Sequence, residues 1–402
     1  MPQINTKFLD GTRFLLALWV AVGHFYILTG AQKFFVIPIV GETLRSPGSA
    51  VDGFMVITGF LMMYHFYIRQ DKNPNESNKT VFTKFWLRRF FRLYPIYIIS
   101  VVLSFFVFTI MAKNAVAMLE YFTGSGLTPQ GTVRPTEQPS IMDLISHVFM
   151  IHGLFPDYSS SILGVTWSLS LEAQFYLVFP FLFVLLFKDK LRVKRTFIFF
   201  IVIALFLAFL TPKFLEVGSR GVFDQPSVLI YKLPLFILGM IMAGVGLRKI
   251  HFSYLLFCLL AVIPFQSSTS SLLILFLSLF MYLDHMKQFI GTPVYKFLNF
   301  FRNLLSNKVS QFGADISYSL YLIHTIIIRF VVYWFVEHSA SLSFTKYETA
   351  AVSFIVFFVL NLLISYLLLV TIEKPFISLG KKVTNNIGKQ QDRTSPNVKV
   401  AG

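Results

Sequence analysis

Phe14-Leu15-Leu16-Ala17-Leu18-Trp19-Val20-Ala21-Val22-Gly23-His24-Phe25-Tyr26-Ile27-Leu28-Thr29-Gly30 (FLLALWVAVGHFYILTG) is the stretch that decides the fold. Its only ionisable side chains are His24 and Tyr26, and Arg13 stands immediately before it. An apolar run of about this length is a candidate membrane helix. Nine more runs follow at about 50–68, 94–112, 171–187, 196–211, 228–247, 252–265, 271–284, 312–336 and 349–372. Hydrocarbon offers no water to the backbone, so such runs are expected to be helices rather than lone strands. The runs 252–265 and 271–284 are the shortest. They are expected to form a hairpin, since Gln266 to Ser271 (QSSTSS) is a polar turn, rather than one tilted helix broken at Pro264. Ile141–Phe155 contains Asp143, His147 and His152, too polar for a span, and suits an interfacial helix or a lid.

Composition agrees. Of 402 residues, 55% are hydrophobic and only 13% charged, against about 25% charged in a soluble domain. Mean hydropathy is +0.67, and phenylalanine alone supplies 48 residues. Soluble, disordered and collagen-like classes are excluded. The single cysteine, Cys258, excludes an intrachain disulfide and a Cys-based zinc site, and no metal is expected. The net charge of +16 is a topology signal. With the N-terminus inside, the inner segments hold 26 Lys/Arg and the outer ones 7, while Lys232 and Arg329 lie within spans. The opposite orientation would violate the positive-inside rule at almost every loop. The expected fold is therefore an all-α polytopic membrane bundle of about ten transmembrane helices with both termini cytoplasmic. Attraction to anionic lipid accounts for the remaining basic excess, and nucleic acid is not needed as a partner. The first run ends in Thr29-Gly30-Ala31-Gln32-Lys33 without a clear cleavage site and is expected to stay as a signal anchor. One membrane domain is expected over 1–380, followed by a polar, basic, disordered tail over 381–402.

Charged groups in apolar spans are functional candidates by default. Arg13 and His24 lie eleven positions apart, about 1100° of helix and thus within about 20° of one face, with an axial rise of about 16 Å. An anion held at Arg13 could extend an arm of that length to a proton-transfer group at His24. Arg88, Arg89 and Arg92 precede the third span within Lys84-Phe85-Trp86-Leu87-Arg88-Arg89-Phe90-Phe91-Arg92-Leu93-Tyr94-Pro95, a cluster suited to bidentate phosphate binding. Asp52 opens the second span and Glu172 lies at the outer end of the fourth. Ser317, Tyr321 and His324 form one helical stripe of the ninth. Each has a structural explanation too: Arg13 as a topology charge, the arginines as an interfacial anchor, Asp52 and Glu172 as helix caps, and the histidines as buried hydrogen-bonding groups.

Taken together, these segments resemble the acyltransferase 3 family of integral membrane enzymes that O-acylate surface glycans and related acceptors. The resemblance rests on Leu9-Asp10-Gly11-Thr12-Arg13 running on to Gly23-His24, Val51-Asp52-Gly53-Phe54 through Thr58-Gly59-Phe60-Leu61, and Arg88-Arg89-Phe90-Phe91-Arg92-Leu93-Tyr94-Pro95. It continues with Trp167-Ser168-Leu169-Ser170-Leu171-Glu172-Ala173-Gln174-Phe175-Tyr176, Ser317-Tyr318-Ser319-Leu320-Tyr321-Leu322-Ile323-His324 and Glu373-Lys374-Pro375, in family order from about residue 6 to 376. Thr58 and the pair Phe54-Met55 depart from the family's usual Phe-Phe-x-x-Ser-Gly-Phe.

The resemblance implies a cytoplasmic acyl-CoA donor, most simply acetyl-CoA, with no permanently bound cofactor. Its acceptor would be O-antigen, capsule or another exported glycan, and its location a bacterial inner membrane. Arg13, Arg88, Arg89 and Arg92 would hold the CoA phosphates. His24 would act as general base, Glu172 or Asp52, nearer the outside, would orient the hydroxyl or His24, and Tyr321 would stabilise the oxyanion. His324 completes the candidate set. An acyl-His intermediate is the competing route. A transporter or flippase of a sugar-linked or anionic substrate is the alternative of a different class, but the paired broken helices of transporter repeats are not found.

Overall fold

The structure is a computed structural model and describes residues 6–31, 38–126, 136–187 and 222–394. The chain order is α1 (Phe8–Leu28), α2 (Pro38–Leu44), α3 (Pro47–Lys72), α4 (Asn78–Phe106), α5 (Phe108–Thr123), α6 (Ile141–Val148) and α7 (Trp167–Phe187). It continues with α8 (Leu229–Gly246), α9 (Phe252–Val262), α10 (Ser268–Met281), α11 (Thr292–Leu304), α12 (Lys308–His338), α13 (Lys346–Leu368) and α14 (Lys374–Thr394). Among the described residues no strand occurs, and seven helices are long and apolar enough to cross a membrane. Two shorter apolar helices, Phe252–Phe265 and Ser268–Met281, match the expected short pair, and their break falls in the polar turn at Gln266. The run 196–211 lies outside the described residues. The fold is an all-α polytopic membrane bundle.

Local chemistry sets the helix starts. The hydroxyls of Ser77, Ser140 and Ser267 and the amide oxygen of Asn307 each accept from a backbone N–H in the first turn of the helix that follows. Thr345 and Glu348 form a reciprocal capping box on α13. Pro47 occupies the start of α3, where its missing N–H costs nothing.

Packing between α3 and α8 depends on two glycines. A Cβ on Gly59 would stand 2.0 Å from the Phe236 carbonyl oxygen, and one on Gly239 would stand 2.0 Å from that of Val56. Lipid supplies no hydrophobic drive between helices, so such close backbone approach carries much of the association.

Three expectations need correction. Arg88, Arg89 and Arg92 do not precede the third spanning helix as a loop: α4 begins at Asn78 and runs unbroken through them and through Pro95 to Phe106. The segment 113–170, which the run boundaries make the longest outer loop, is not a free loop. Tyr121 of α5 hydrogen-bonds Thr349 at 3.1 Å, and Asn114 donates to the Arg329 carbonyl at 3.2 Å, so α5 crosses one end of the bundle. The tail does not lose its structure at residue 381, since α14 continues to Thr394, packed by Gly380 against Phe91.

The polar segment after Ser140 descends beside α4. Gln138 donates to the Phe105 carbonyl at 2.7 Å, whereas Tyr97 and Tyr94 donate to those of His147 (2.8 Å) and Val148 (3.0 Å). From Phe105 back to Tyr94 is about 16 Å along a helix axis. His147 is held by Asp143 at 3.0 Å and stacks on His152 with ring centroids 3.8 Å apart. Burial and the neighbouring His147 ring hold the His152 imidazole far below its ordinary titration range. This descent lets α7 begin inside the bundle: Ser168, its second residue, hydrogen-bonds Tyr321 at 2.6 Å, near the middle of α12.

Replacing Gly239 with valine should force α3 and α8 apart. Overpacking of this kind costs about 1–3 kcal/mol, read as a lower unfolding midpoint in detergent, with Gly48→Ala, whose Cβ would meet nothing within 4 Å, as the neutral control.

Candidate functional site

One end of the bundle, where Phe8, Asn78 and Lys308 lie, opens into a cavity of about 780 Å³. Arg13 of α1, Arg89 and Arg92 of α4, and Glu172 and Tyr176 of α7 line it, with Phe54, Ser317 and Tyr321 at its depth. Among the described residues, none of the three guanidinium groups makes a hydrogen bond or ion pair, and the buried Arg89 Nε has no partner. Arg89 rests instead over the rings of Phe85 and Tyr176, at 5.7 and 5.6 Å. A buried cation without a partner is costly. Arg13 and Arg89, both half-buried, and the more exposed Arg92 face one space and define an anion site.

Arg88 is not part of it. One position on from Leu87 and one before Arg89, it is rotated off the lining, toward Arg69 and Glu76. Glu172 is not near the outside as expected. Because α7 starts in the interior, its carboxylate lies on the cavity wall among the arginines, accepting from the Tyr176 hydroxyl and from Thr58 at 3.4 Å.

Beyond the cavity lies a pair of histidines. His24 Nδ1 and His324 Nε2 are 2.7 Å apart, with ring planes within 11°. His324 is fully buried and its Nδ1 lies 2.7 Å from the Tyr321 carbonyl. A carbonyl only accepts, so His324 Nδ1 carries a proton and, in the neutral ring, Nε2 accepts. His24 therefore donates from Nδ1, which puts its own lone pair on Nε2. His24 is half-buried.

The expectation that Arg13 and His24 share one continuous tunnel is not met. Arg13 lines the cavity and His24 does not. The space stops at Tyr321, whose ring lies 6.2 Å from Phe54 and 6.0 Å from His324. The Tyr321 hydroxyl is itself engaged, 2.6 Å from Ser168 and 3.0 Å from the Val165 carbonyl.

Asp52 stands apart from both groups. It pairs with Lys232 of α8 at 2.6 Å and accepts from Ser270 of α10 at 2.7 Å, joining three helices. Sequence reasoning passed over His65, Asp10, Asp315, Lys308 and Tyr176, all of which line the cavity. Tyr176 was accessible, one turn beyond Glu172 on the same helix face. The others sit at helix ends or among ordinary polar residues and gave no signal. Among the described residues no cluster suited to a metal ion occurs.

A polytopic membrane protein with a cationic internal cavity and a hydrogen-bonded histidine pair beyond its head has the parts a group-transfer enzyme needs. The family model described as an acyltransferase domain matches residues 6–370. The chain belongs to the acyltransferase 3 family and is a membrane acyltransferase. No curated protein and no solved structure gives a significant match.

If Asp52 is structural, Asp52→Asn should destabilise the fold by about 3–5 kcal/mol through the stranded Lys232 charge. Adding Lys232→Met should recover part of that loss. Thermal unfolding of both variants in detergent measures the difference; an equal or larger loss in the double variant would contradict the pairing.

Proposed function

We propose that this enzyme moves an acyl group, acetyl in the simplest case, from cytoplasmic acyl-CoA to a hydroxyl of an exported or cell-surface glycan. The observation that carries the reading is the set of three guanidinium groups in one cavity, none hydrogen-bonded or ion-paired among the described residues, with a tautomer-fixed histidine beyond its head. The positive-inside bias supports placing the cavity mouth in the cytoplasm, where acyl-CoA is found. A surface-glycan acceptor goes with a bacterial inner membrane.

In this scheme Arg13, Arg89 and Arg92 grip the CoA phosphates through charge-assisted hydrogen bonds. Glu172 lowers the net positive charge of the grip and, through Tyr176 and Thr58, fixes the wall on which Arg89 rests. The pantetheine arm rises past Leu93 and Ser317 and meets Phe54 and Tyr321. These two rings turn aside to let the thioester reach His24. His24 Nε2 takes the proton from the acceptor hydroxyl as its oxygen attacks the thioester carbonyl. The C–S bond then breaks, and the same proton passes to the departing thiolate, giving the ester and free CoA. His324 is a positioning residue: by accepting from His24 Nδ1 it holds the lone pair on Nε2.

His24→Ala should lower transfer of labelled acetyl from acetyl-CoA by about 10²–10⁴-fold, while acetyl-CoA binding survives. Full activity in that variant would refute the role. His324→Ala should lower kcat with little change in the KM for acetyl-CoA; an unaltered kcat would remove His324 from the mechanism. For Arg89→Ala combined with Arg92→Ala, the expected result is a KM for acetyl-CoA raised at least about ten-fold. An unchanged KM would move the donor site elsewhere.

A further inference from the structure

Tyr321 belongs to two neighbourhoods at once. Its ring closes the head of the cavity together with Phe54, 6.2 Å away, and lies 6.0 Å from the ring of His324. Neither His24 nor His324 lines the cavity. The tyrosine ring is therefore the boundary between the space suited to the donor and the histidine pair beyond it.

A triangle of oxygens holds that ring in place. The Tyr321 hydroxyl is 2.6 Å from the Ser168 hydroxyl and 3.0 Å from the Val165 carbonyl, and the Ser168 hydroxyl is 3.1 Å from the same carbonyl. Two protons serve these three contacts, so whichever hydroxyl donates to the carbonyl, the other is tied in behind it. The carbonyl is open to them because of where α7 begins. The N–H groups of Leu169 and Ser170 both donate to the Thr166 carbonyl, at 3.0 Å each. Val165, one residue earlier, stands outside that ladder, and its carbonyl is left to side chains.

Tyr318, one turn earlier on α12, shows the contrast. It donates to the Leu93 carbonyl at 2.7 Å, inside the unbroken helix α4. Tyr321 is instead tied to the end of a stretch of turns and short 3-10 helices, residues 149–166, in which Ser161 donates to Asp143 at 2.9 Å. That stretch continues the polar segment descending beside α4 from Gln138. One tyrosine is fixed between two rigid helices, and the other is fastened to the part of the wall best able to shift.

Resting on the acyltransferase reading above, we propose that Ser168 and Tyr321 form a latch that decides between water and the acceptor hydroxyl. Closed, it keeps the donor thioester away from His24. Were it open with no acceptor present, a water oxygen would attack the thioester carbonyl. One water proton would pass through His24 to the departing thiolate as the C–S bond breaks, and the donor would be lost as acetic acid and free CoA. The latch hangs on a stretch that reaches toward the outer side. An acceptor arriving there shifts Val165 and frees the ring, so the thioester meets the base only when a sugar hydroxyl is at hand. Ser168 is a positioning residue, acting through Tyr321 and not on the reacting atoms.

Two measurements test the latch, and the first needs no turnover. His24→Cys in a Cys258→Ser background places the one thiol of the chain beyond the seal. Inside-out vesicles turn the cavity mouth to the medium, where a methanethiosulfonate bearing a sulfonate, an anion suited to the arginines, is added. Ser168→Ala or Tyr321→Phe should speed modification of that thiol about ten-fold, roughly the loss of one hydrogen bond. In the second measurement His24 is intact, and each variant should raise acetyl-CoA hydrolysis in glycan-free reconstituted vesicles by about the same factor. CoA binding, which the arginines set, reports that each variant is folded. Unchanged modification in both variants would overturn the proposal, as would loss of CoA binding in both, which would make the pair structural. If Tyr321→Phe alone loses CoA binding, Ser168→Ala decides. Unchanged hydrolysis in a protein that transfers acetyl would also overturn it, and so would a joint fall of hydrolysis and transfer in Tyr321→Phe, which would put the hydroxyl in the chemistry. Absence of acetyl transfer by the unaltered protein, with faster modification in the variants, would instead overturn the acyltransferase reading and leave the latch standing.

Discussion

Keeping a guanidinium group inside an apolar bundle is the constraint on which this structure turns. An uncompensated buried charge costs several kcal/mol even after relaxation, and here the half-buried Arg13 and Arg89 share one cavity with the more exposed Arg92, none of them hydrogen-bonded or ion-paired among the described residues. Glu172 on α7 and the rings of Phe85 and Tyr176 under Arg89 offset part of that cost, and the cavity keeps an excess of positive charge suited to an anion. Asp52 and Lys232 show the other treatment of charge in the same protein. Those two are matched at 2.6 Å, supported by Ser270, and join α3, α8 and α10. Among the described residues these two charges that hold the fold are paired, while the three arginines that face the cavity are not.

The histidine pair follows a related logic. Imidazole is useful as a base only if the nitrogen that faces the substrate lacks a proton, and a backbone carbonyl decides the matter here. Tyr321 O fixes the proton on His324 Nδ1, and His324 in turn fixes the one on His24. Because the carbonyl belongs to the preceding turn of α12, the setting is built into a helix and does not depend on a mobile side chain. The same stripe of α12 carries Ser317 and Tyr321 into the cavity wall, so the donor space and the residue that positions the base share one rigid element.

Close packing makes this possible. Gly59 and Gly239 let α3 and α8 meet backbone to backbone. The descent of the segment after Ser140 along α4 leaves room for α7 to start in the interior. That late start is what moves Glu172 from the expected outer rim to the arginine-lined wall. At the other end of the chain, Arg302 grips Asp284 through two hydrogen bonds of 2.8 Å and holds its carboxyl below the ordinary range, tying α11 to the end of α10.

Run lengths, hydropathy and the bias of Lys and Arg were enough to define an all-α membrane bundle, because the bilayer forces every spanning backbone into self-satisfied helices. The ordered motifs were enough to place the chain in its family, and helical periodicity put Arg13 and His24 on a common face of α1. Which neighbours those faces meet is a matter of how helices dock, and a helix's own sequence does not encode its partner's rotation or depth. Only the tertiary structure therefore showed that the space at Arg13 ends at Tyr321, that His24 is partnered by His324 some three hundred positions away, and that Asp52 is answered by Lys232. Arg88 and Arg89, adjacent in the chain, were separated for the same reason: one step of about 100° around α4 turns the first away from the cavity and the second into it.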